Sequence, residues 1–200
     1  LYAGKERKAS AENVEFTFIL SVLAPYILTT ELSPLLEKAM NGRVINTSSY
    51  MHHFAKVKDL DFGFEKEYSP SLAYNNSKLY TIWMTRYLAR KFFLNGSSIT
   101  VNSYHPGLIA TNLVNNSDTK PTKRSVLGHT MKPIPKGLDE GIKTGYYLSL
   151  SEGISGLTGY YFDDKKVKAV SEKGYTFEKA QKLMDYCQEK IELFKEKQDV

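Results

Sequence analysis

The feature that most restricts the fold is a strand, a long helix and a second strand in series. Arg43-Val44-Ile45-Asn46-Thr47-Ser48-Ser49 is a short apolar and β-branched run that closes on hydroxyls, the pattern of a buried strand. From Leu72 to Leu94, apolar residues such as Leu79, Ile82, Trp83 and Tyr87 recur at helical spacing, and Asn95-Gly96 stops the helix. Ile99 to Tyr104 is strand-like again and ends in the turn His105-Pro106-Gly107. Such a unit carries parallel strands with a right-handed crossover, so the fold class is α/β. Ligands in these sheets sit beyond the carboxyl ends of the strands, here at Ser49 and Pro106-Gly107.

The flanking chain adds further elements. A helix is expected from Glu12 to Met40, kinked near Pro25, where an N–H is lost, and closed by Asn41-Gly42. Residues 50–72 read as a long loop whose His52 and His53 either lie on a solvated surface, the favoured reading, or approach the substrate. Residues 112–136 carry Pro121, Pro133, Pro135 and several cations with little periodicity, and form a candidate substrate lid. Gly137 to Leu150 reads as a helix and Thr158 to Phe162 as a strand. Phe177 to Lys195 is amphipathic through Phe177, Ala180, Leu183, Met184, Cys187, Ile191 and Phe194, a core-packing face. With no repeat or linker, residues 1–200 are expected to form a single domain.

Composition narrows the function classes. Apolar residues at 42% and charged residues at 24% are ordinary for one soluble α/β domain. The longest apolar stretch, Phe16 to Leu28, is broken by Ser21 and Pro25 and falls short of the ~20 residues of a spanning helix. No leader or membrane span is expected. A net charge of +5 suits solubility, anionic cofactor phosphates or lipid headgroups, and no motif supports nucleic-acid binding. The single cysteine, Cys187, excludes an intrachain disulfide, suits a core thiol and points to a reducing, cytoplasmic location; no metal site is expected. Sequons occur at Asn46, Asn75, Asn95 and Asn115, but the first two fall in the core strand and beside Tyr74, so they read as chance matches.

The chemistry centres on Ala73-Tyr74-Asn75-Asn76-Ser77-Lys78-Leu79. A spacing of four puts the phenol of Tyr74 and the ammonium of Lys78 on one helix face, about 5–6 Å apart at Cβ. The cation then favours the phenolate, so Tyr74 could pass a proton to a carbonyl oxygen, or take one from an alcohol, near neutral pH. Such a site needs only a hydride to reduce a carbonyl.

With Ala3-Gly4, Phe18 to Thr29, RVINTSS at 43–49, AYNNSKL at 73–79 and HPGLIATNL at 105–113, the chain resembles the short-chain dehydrogenase/reductase family over nearly its whole length, most closely its retinol dehydrogenase branch. The resemblance implies a Rossmann-like doubly wound parallel sheet, of which this chain is the C-terminal portion of a single domain. It implies an oxidoreductase using NADP or NAD to interconvert an alcohol and its aldehyde or ketone, with a hydrophobic small-molecule substrate. In that reading Ser49 hydrogen-bonds the substrate oxygen, Tyr74 is the acid/base, and Lys78 holds the nicotinamide ribose while tuning Tyr74. Gly4, Pro106, Gly107 and Thr111 line the cofactor, the last three at its nicotinamide end. The resemblance leaves room for a homodimer and for a peripheral membrane contact.

Two departures from the family pattern carry expectations of their own. The chain begins where the fourth strand of such a fold would end, and Gly-x-x-x-Gly-x-Gly, the turn that cradles the pyrophosphate, occurs nowhere in it. Either a longer natural chain supplies that turn or the protein holds cofactor poorly. Ser21 stands where the family has an asparagine that anchors a proton relay to the lysine, so Ser21 is expected to serve a weakened relay, and Ser21→Asn to raise turnover. A catalytically silent binding or interaction protein on the same fold is the alternative. A serine hydrolase built on Ser49 with His52, His53 or His105 lacks the Gly-x-Ser-x-Gly elbow.

Overall fold

The computed structural model describes residues 5–57, 59–107 and 137–197. Helix α1 runs from Phe16 to Leu36, shorter at both ends than its periodicity suggests. The Glu15 carboxylate caps it, accepting from Phe18 N at 2.8 Å. Near Pro25 the irregularity is a π turn over Ile19–Leu23. Pro25 has no N–H to offer the carbonyl of Ser21, four residues back; Thr81 Oγ1 approaches that carbonyl at 2.9 Å. Pro34 leaves the Thr30 carbonyl in the same position, and Ser33 Oγ donates to it at 2.8 Å.

By length and composition α1, at 21 residues and mean hydropathy 1.5, would suffice to cross a membrane. This corrects the sequence count, which stopped at Leu28, because the helix continues through Leu32 and Leu35. Phe18, Val22, Leu23 and Tyr26 are buried in the core, while Leu20, Leu28, Leu32 and Leu35 are exposed.

Helix α2 spans Pro70–Leu94, with Ser69 as its cap and Pro70 in its first turn, where a missing N–H costs nothing. It packs against α1, against the sheet and against the final helix, so residues on several of its faces are buried. Trp83 and Tyr80 are fully enclosed, with Tyr80 meeting Phe62 edge-on at 5.3 Å and Phe18 at 6.4 Å.

Among the described residues four strands form one sheet in the order β1 (Arg43–Thr47), β2 (Thr100–Tyr104), β3 (Tyr161–Asp163), β4 (Lys166–Val167). The first two pairings are parallel, as the strand–helix–strand series requires, with Val44 opposite Val101 and Thr47 opposite Tyr104. Alternation along the strands directs Val44 and Val101 into the core with α1 and α2, and Ile45, Tyr104 and Phe162 toward Leu148 of α3 (Leu138–Leu150). Helices therefore cover both faces, the doubly wound α/β arrangement. The antiparallel β4 has no counterpart in the sequence reading: its turn, Asp164-Lys165, takes left-handed backbone (φ 47° and 61°) without the Asn-Gly signature of such turns.

Helix α4, Phe177–Glu196, buries Ala180, Leu183, Met184 and Cys187, the face its amphipathicity foretells. Cys187 is a core thiol, and burial pushes its pKa up. Asn46 and Asn75 are both buried, Asn46 donating to Thr85 Oγ1 at 3.0 Å, so neither is open to a glycan.

Candidate active site

Parallel register puts the carboxyl ends of β1 and β2 side by side, and the candidate site is built there. Past Thr47 the two serines part in role. Ser48 continues the ladder, its N–H donating to the Tyr104 carbonyl at 2.7 Å, and its buried hydroxyl donates to the carbonyl of Lys78 at 2.8 Å. Ser49 is half-buried and extended, the cap of a 3₁₀ turn over Tyr50–Phe54 that occupies the start of the expected loop. Its Oγ accepts from Met51 N at 3.2 Å. A hydroxyl that accepts this way keeps its own O–H to donate, so Ser49 is the serine able to serve a substrate oxygen.

Tyr74 and Lys78 lie one turn apart on α2, with Lys78 Nζ 5.8 Å from the centre of the Tyr74 ring. The ammonium donates to the Thr47 carbonyl at 3.1 Å, which anchors it to the end of β1. Burial pushes the Lys78 pKa down to about 8, because it desolvates the ammonium and no carboxylate among the described residues pairs with it. Among the described residues only one of its three donors is engaged, which leaves two for the hydroxyls of a ribose. That donor set fits the nicotinamide end of a dinucleotide.

The β2 end is shaped by His105-Pro106-Gly107. Gly107 takes φ +88°, open to glycine, and its N–H donates to His105 Nδ1 at 2.9 Å. This bond places the imidazole proton on Nε2, 3.2 Å from Asp163 Oδ1. Pro106 and Gly107 thus sit where the sequence put them, while Gly4, Thr111 and the candidate lid 112–136 lie outside the described residues.

Ser21 is buried and meets α2 at Thr81 rather than at Lys78, and it does so through its backbone carbonyl. The relay expected of its side chain runs to Lys78 through a water, and this backbone contact neither forms nor replaces it. His52 is a second difference: read as solvated surface, it is fully buried, and burial pushes its pKa down to about 4. Its Nδ1 lies 2.6 Å from the Ser49 carbonyl, away from the hydroxyl, so no Ser49–His52 nucleophile–base pair exists.

Sequence reasoning also missed Asn76, whose amide donates to the Lys56 carbonyl at 2.9 Å and accepts from Lys56 N at 2.8 Å, clamping the chain just past the 3₁₀ turn onto α2. Its position inside the Tyr74–Lys78 segment was visible; its partner, 20 residues away, was not. A groove of about 530 Å³ along α3, lined by Ile142, Tyr146 and Leu150 among others, includes none of these site residues.

A Rossmann-type sheet carrying a Tyr-x-x-x-Lys pair against a serine-capped strand end defines the class of protein. Residues 3–122 match the short chain dehydrogenase family, and the chain belongs to that family. It is 33% identical to human (Homo sapiens) retinol dehydrogenase 12 over 174 residues, 87% of this chain and 53% of that protein. It is 30% identical to mouse (Mus musculus) retinol dehydrogenase 14 over 184 residues, 92% of this chain and 54% of that one. The chain thus spans about half the length of the curated relatives it matches. A short chain dehydrogenase from Salmonella enterica subsp. enterica serovar Typhi str. CT18 shares the fold at a TM-score of 0.51 and 24% identity, over 74% of this chain and 51% of that one.

Proposed function

We propose that the chain is the catalytic part of an NAD(P)-dependent oxidoreductase that interconverts an alcohol and its aldehyde or ketone. The observation that carries this reading is the Tyr74–Lys78 pair, one helical turn apart, with the ammonium anchored on Thr47 beside Ser48-Ser49. In the reducing direction the Ser49 hydroxyl donates a hydrogen bond to the substrate oxygen, and Tyr74 delivers the proton to that same oxygen. Lys78 stabilises the phenolate left behind and binds the ribose, while Pro106 and Gly107 bound the site at the end of β2. The bound nicotinamide supplies or accepts the hydride.

The retinol dehydrogenase names of the relatives support a hydrophobic alcohol or carbonyl substrate of retinoid, steroid or lipid-aldehyde type. The single buried Cys187 supports a reducing compartment such as the cytoplasm. The outward leucines of α1 support a homodimer or a peripheral membrane contact. The test is reduction of retinal and of aliphatic aldehydes by the full-length protein with NADH and NADPH, followed by nicotinamide absorbance. Turnover lost in Tyr74→Phe supports the reading; an active Tyr74→Phe variant removes it. Cofactor binding without any turnover would favour the catalytically silent alternative.

A further inference from the structure

Among the described residues the His52 side chain makes one hydrogen bond, and it goes to a residue of the proposed site. The Ser49 carbonyl receives two donors from this residue, the ring Nδ1 at 2.6 Å and the backbone N at 3.2 Å. The ring is fully buried, 4.0 Å from the His53 ring and 4.9 Å from that of Tyr161 by centroids. Tyr161 in turn stacks on His105 at 5.9 Å with planes 15° apart, and His105 holds the Gly107 N–H. A chain of rings therefore links the Ser49 peptide to the Pro106-Gly107 turn, the two sides of the site.

A phenylalanine or leucine would fill this space without desolvating an imidazole. His52 Nε2 is buried with no hydrogen-bond partner among the described residues, so within them the ring does not serve a wider polar network. The one bond it makes fixes the Ser49 carbonyl, and with it the extended backbone (φ −154°, ψ 151°) from which the Ser49 hydroxyl projects.

Resting on the functional reading above, we propose that His52 is a positioning residue for the carbonyl-reducing reaction: through Nδ1–H it holds the Ser49 peptide so that the Ser49 hydroxyl meets the substrate oxygen. It touches neither substrate nor cofactor. Its effect travels through Ser49, and this separates it from a residue that only supports the fold.

The experiment is a double-mutant cycle in the full-length protein, assayed on whichever of retinal or the aliphatic aldehydes wild type reduces fastest. His52→Phe keeps the ring volume and removes the donor. It is expected to lower kcat about 10-fold, a fraction of the ~100-fold that a misplacement of 1 Å can cost, with cofactor affinity unchanged. His52→Asn, whose amide nitrogen can stand near the place of Nδ1, is expected to recover most of the loss. In a Ser49→Ala background His52→Phe should cost nothing more, since the group it positions is gone.

Full kcat in His52→Phe, or a loss that multiplies that of Ser49→Ala, overturns the proposal. If His52→Phe fails to fold, His52→Gln, which stays polar but displaces the donor by one bond, takes its place in the cycle with the same expectations. An inactive wild type, or an active Tyr74→Phe variant, overturns the functional reading and this proposal with it. A Tyr74-dependent enzyme indifferent to His52 overturns this proposal alone.

Discussion

Lys78 Nζ donates to the carbonyl oxygen of Thr47 at 3.1 Å, so the ammonium that faces Tyr74 is fixed to the last residue of the first strand. The helix supplies the spacing of the pair and the strand supplies its position. Burial of this ammonium, pushing its pKa down to about 8, sets the first expectation. For carbonyl reduction, kcat/KM should fall above about pH 8 as free enzyme loses the Lys78 proton. A profile flat from about pH 6 to 9.5, in steady-state assays with cofactor well below saturation, would show that this charge is dispensable.

The two serines should separate by readout. Ser49→Ala removes a donor to the reacting oxygen and is expected to lower turnover about 100- to 1,000-fold with little change in unfolding midpoint. Ser48→Ala removes the buried bond to the Lys78 carbonyl and should cost ~1–2 kcal/mol in urea unfolding. Reversed outcomes would mean that the hydroxyl roles have been exchanged.

Around Ser21 the backbone matters more than the side chain. Thr81→Val leaves the Ser21 carbonyl beside Pro25 without its side-chain donor and should destabilise by ~1 kcal/mol. Ser21→Ala should change stability by less than ~0.5 kcal/mol, because the hydroxyl makes no protein hydrogen bond among the described residues. A kinetic effect of Ser21→Ala beyond about two-fold at unchanged stability would support the water-linked relay expected from the sequence, and its absence would speak against it.

Acid should expose the buried imidazole. His52 titrates near 4 when folded and near the ordinary ~6.5 when unfolded, so the unfolded chain binds the extra proton first. Its contribution is complete above about pH 6.5 and is lost as pH falls toward about 4, on the order of 3 kcal/mol in all. Urea unfolding between these limits should be less pH-dependent in His52→Phe than in wild type. His53, whose pKa burial also lowers, would leave part of the slope in place.

The sheet and its helices were legible because their signals are local. The β-branched run at 43–47, the 3.6-residue spacing through α2 and the amphipathic face of α4 each satisfy one element by itself, and each formed. The Tyr74–Lys78 pair was legible for the same reason, being one turn of one helix. What sequence could not supply were contacts across the chain: His52 between rings from β3 and its own segment, Asn76 on Lys56, and Thr81 on Ser21. The π turn before Pro25 and the left-handed Asp164-Lys165 turn follow from hydrogen-bond accounting that residue propensities do not encode.

The proton donor is the centre of the proposed chemistry, and Tyr74→Phe in the full-length protein isolates it. Carbonyl reduction should fall at least about 100-fold while cofactor affinity stays within a few-fold, because only the phenolic proton is removed. Retention of more than about a tenth of the wild-type rate would mean that another group protonates the substrate oxygen and that the Tyr74–Lys78 pair is not the catalytic centre.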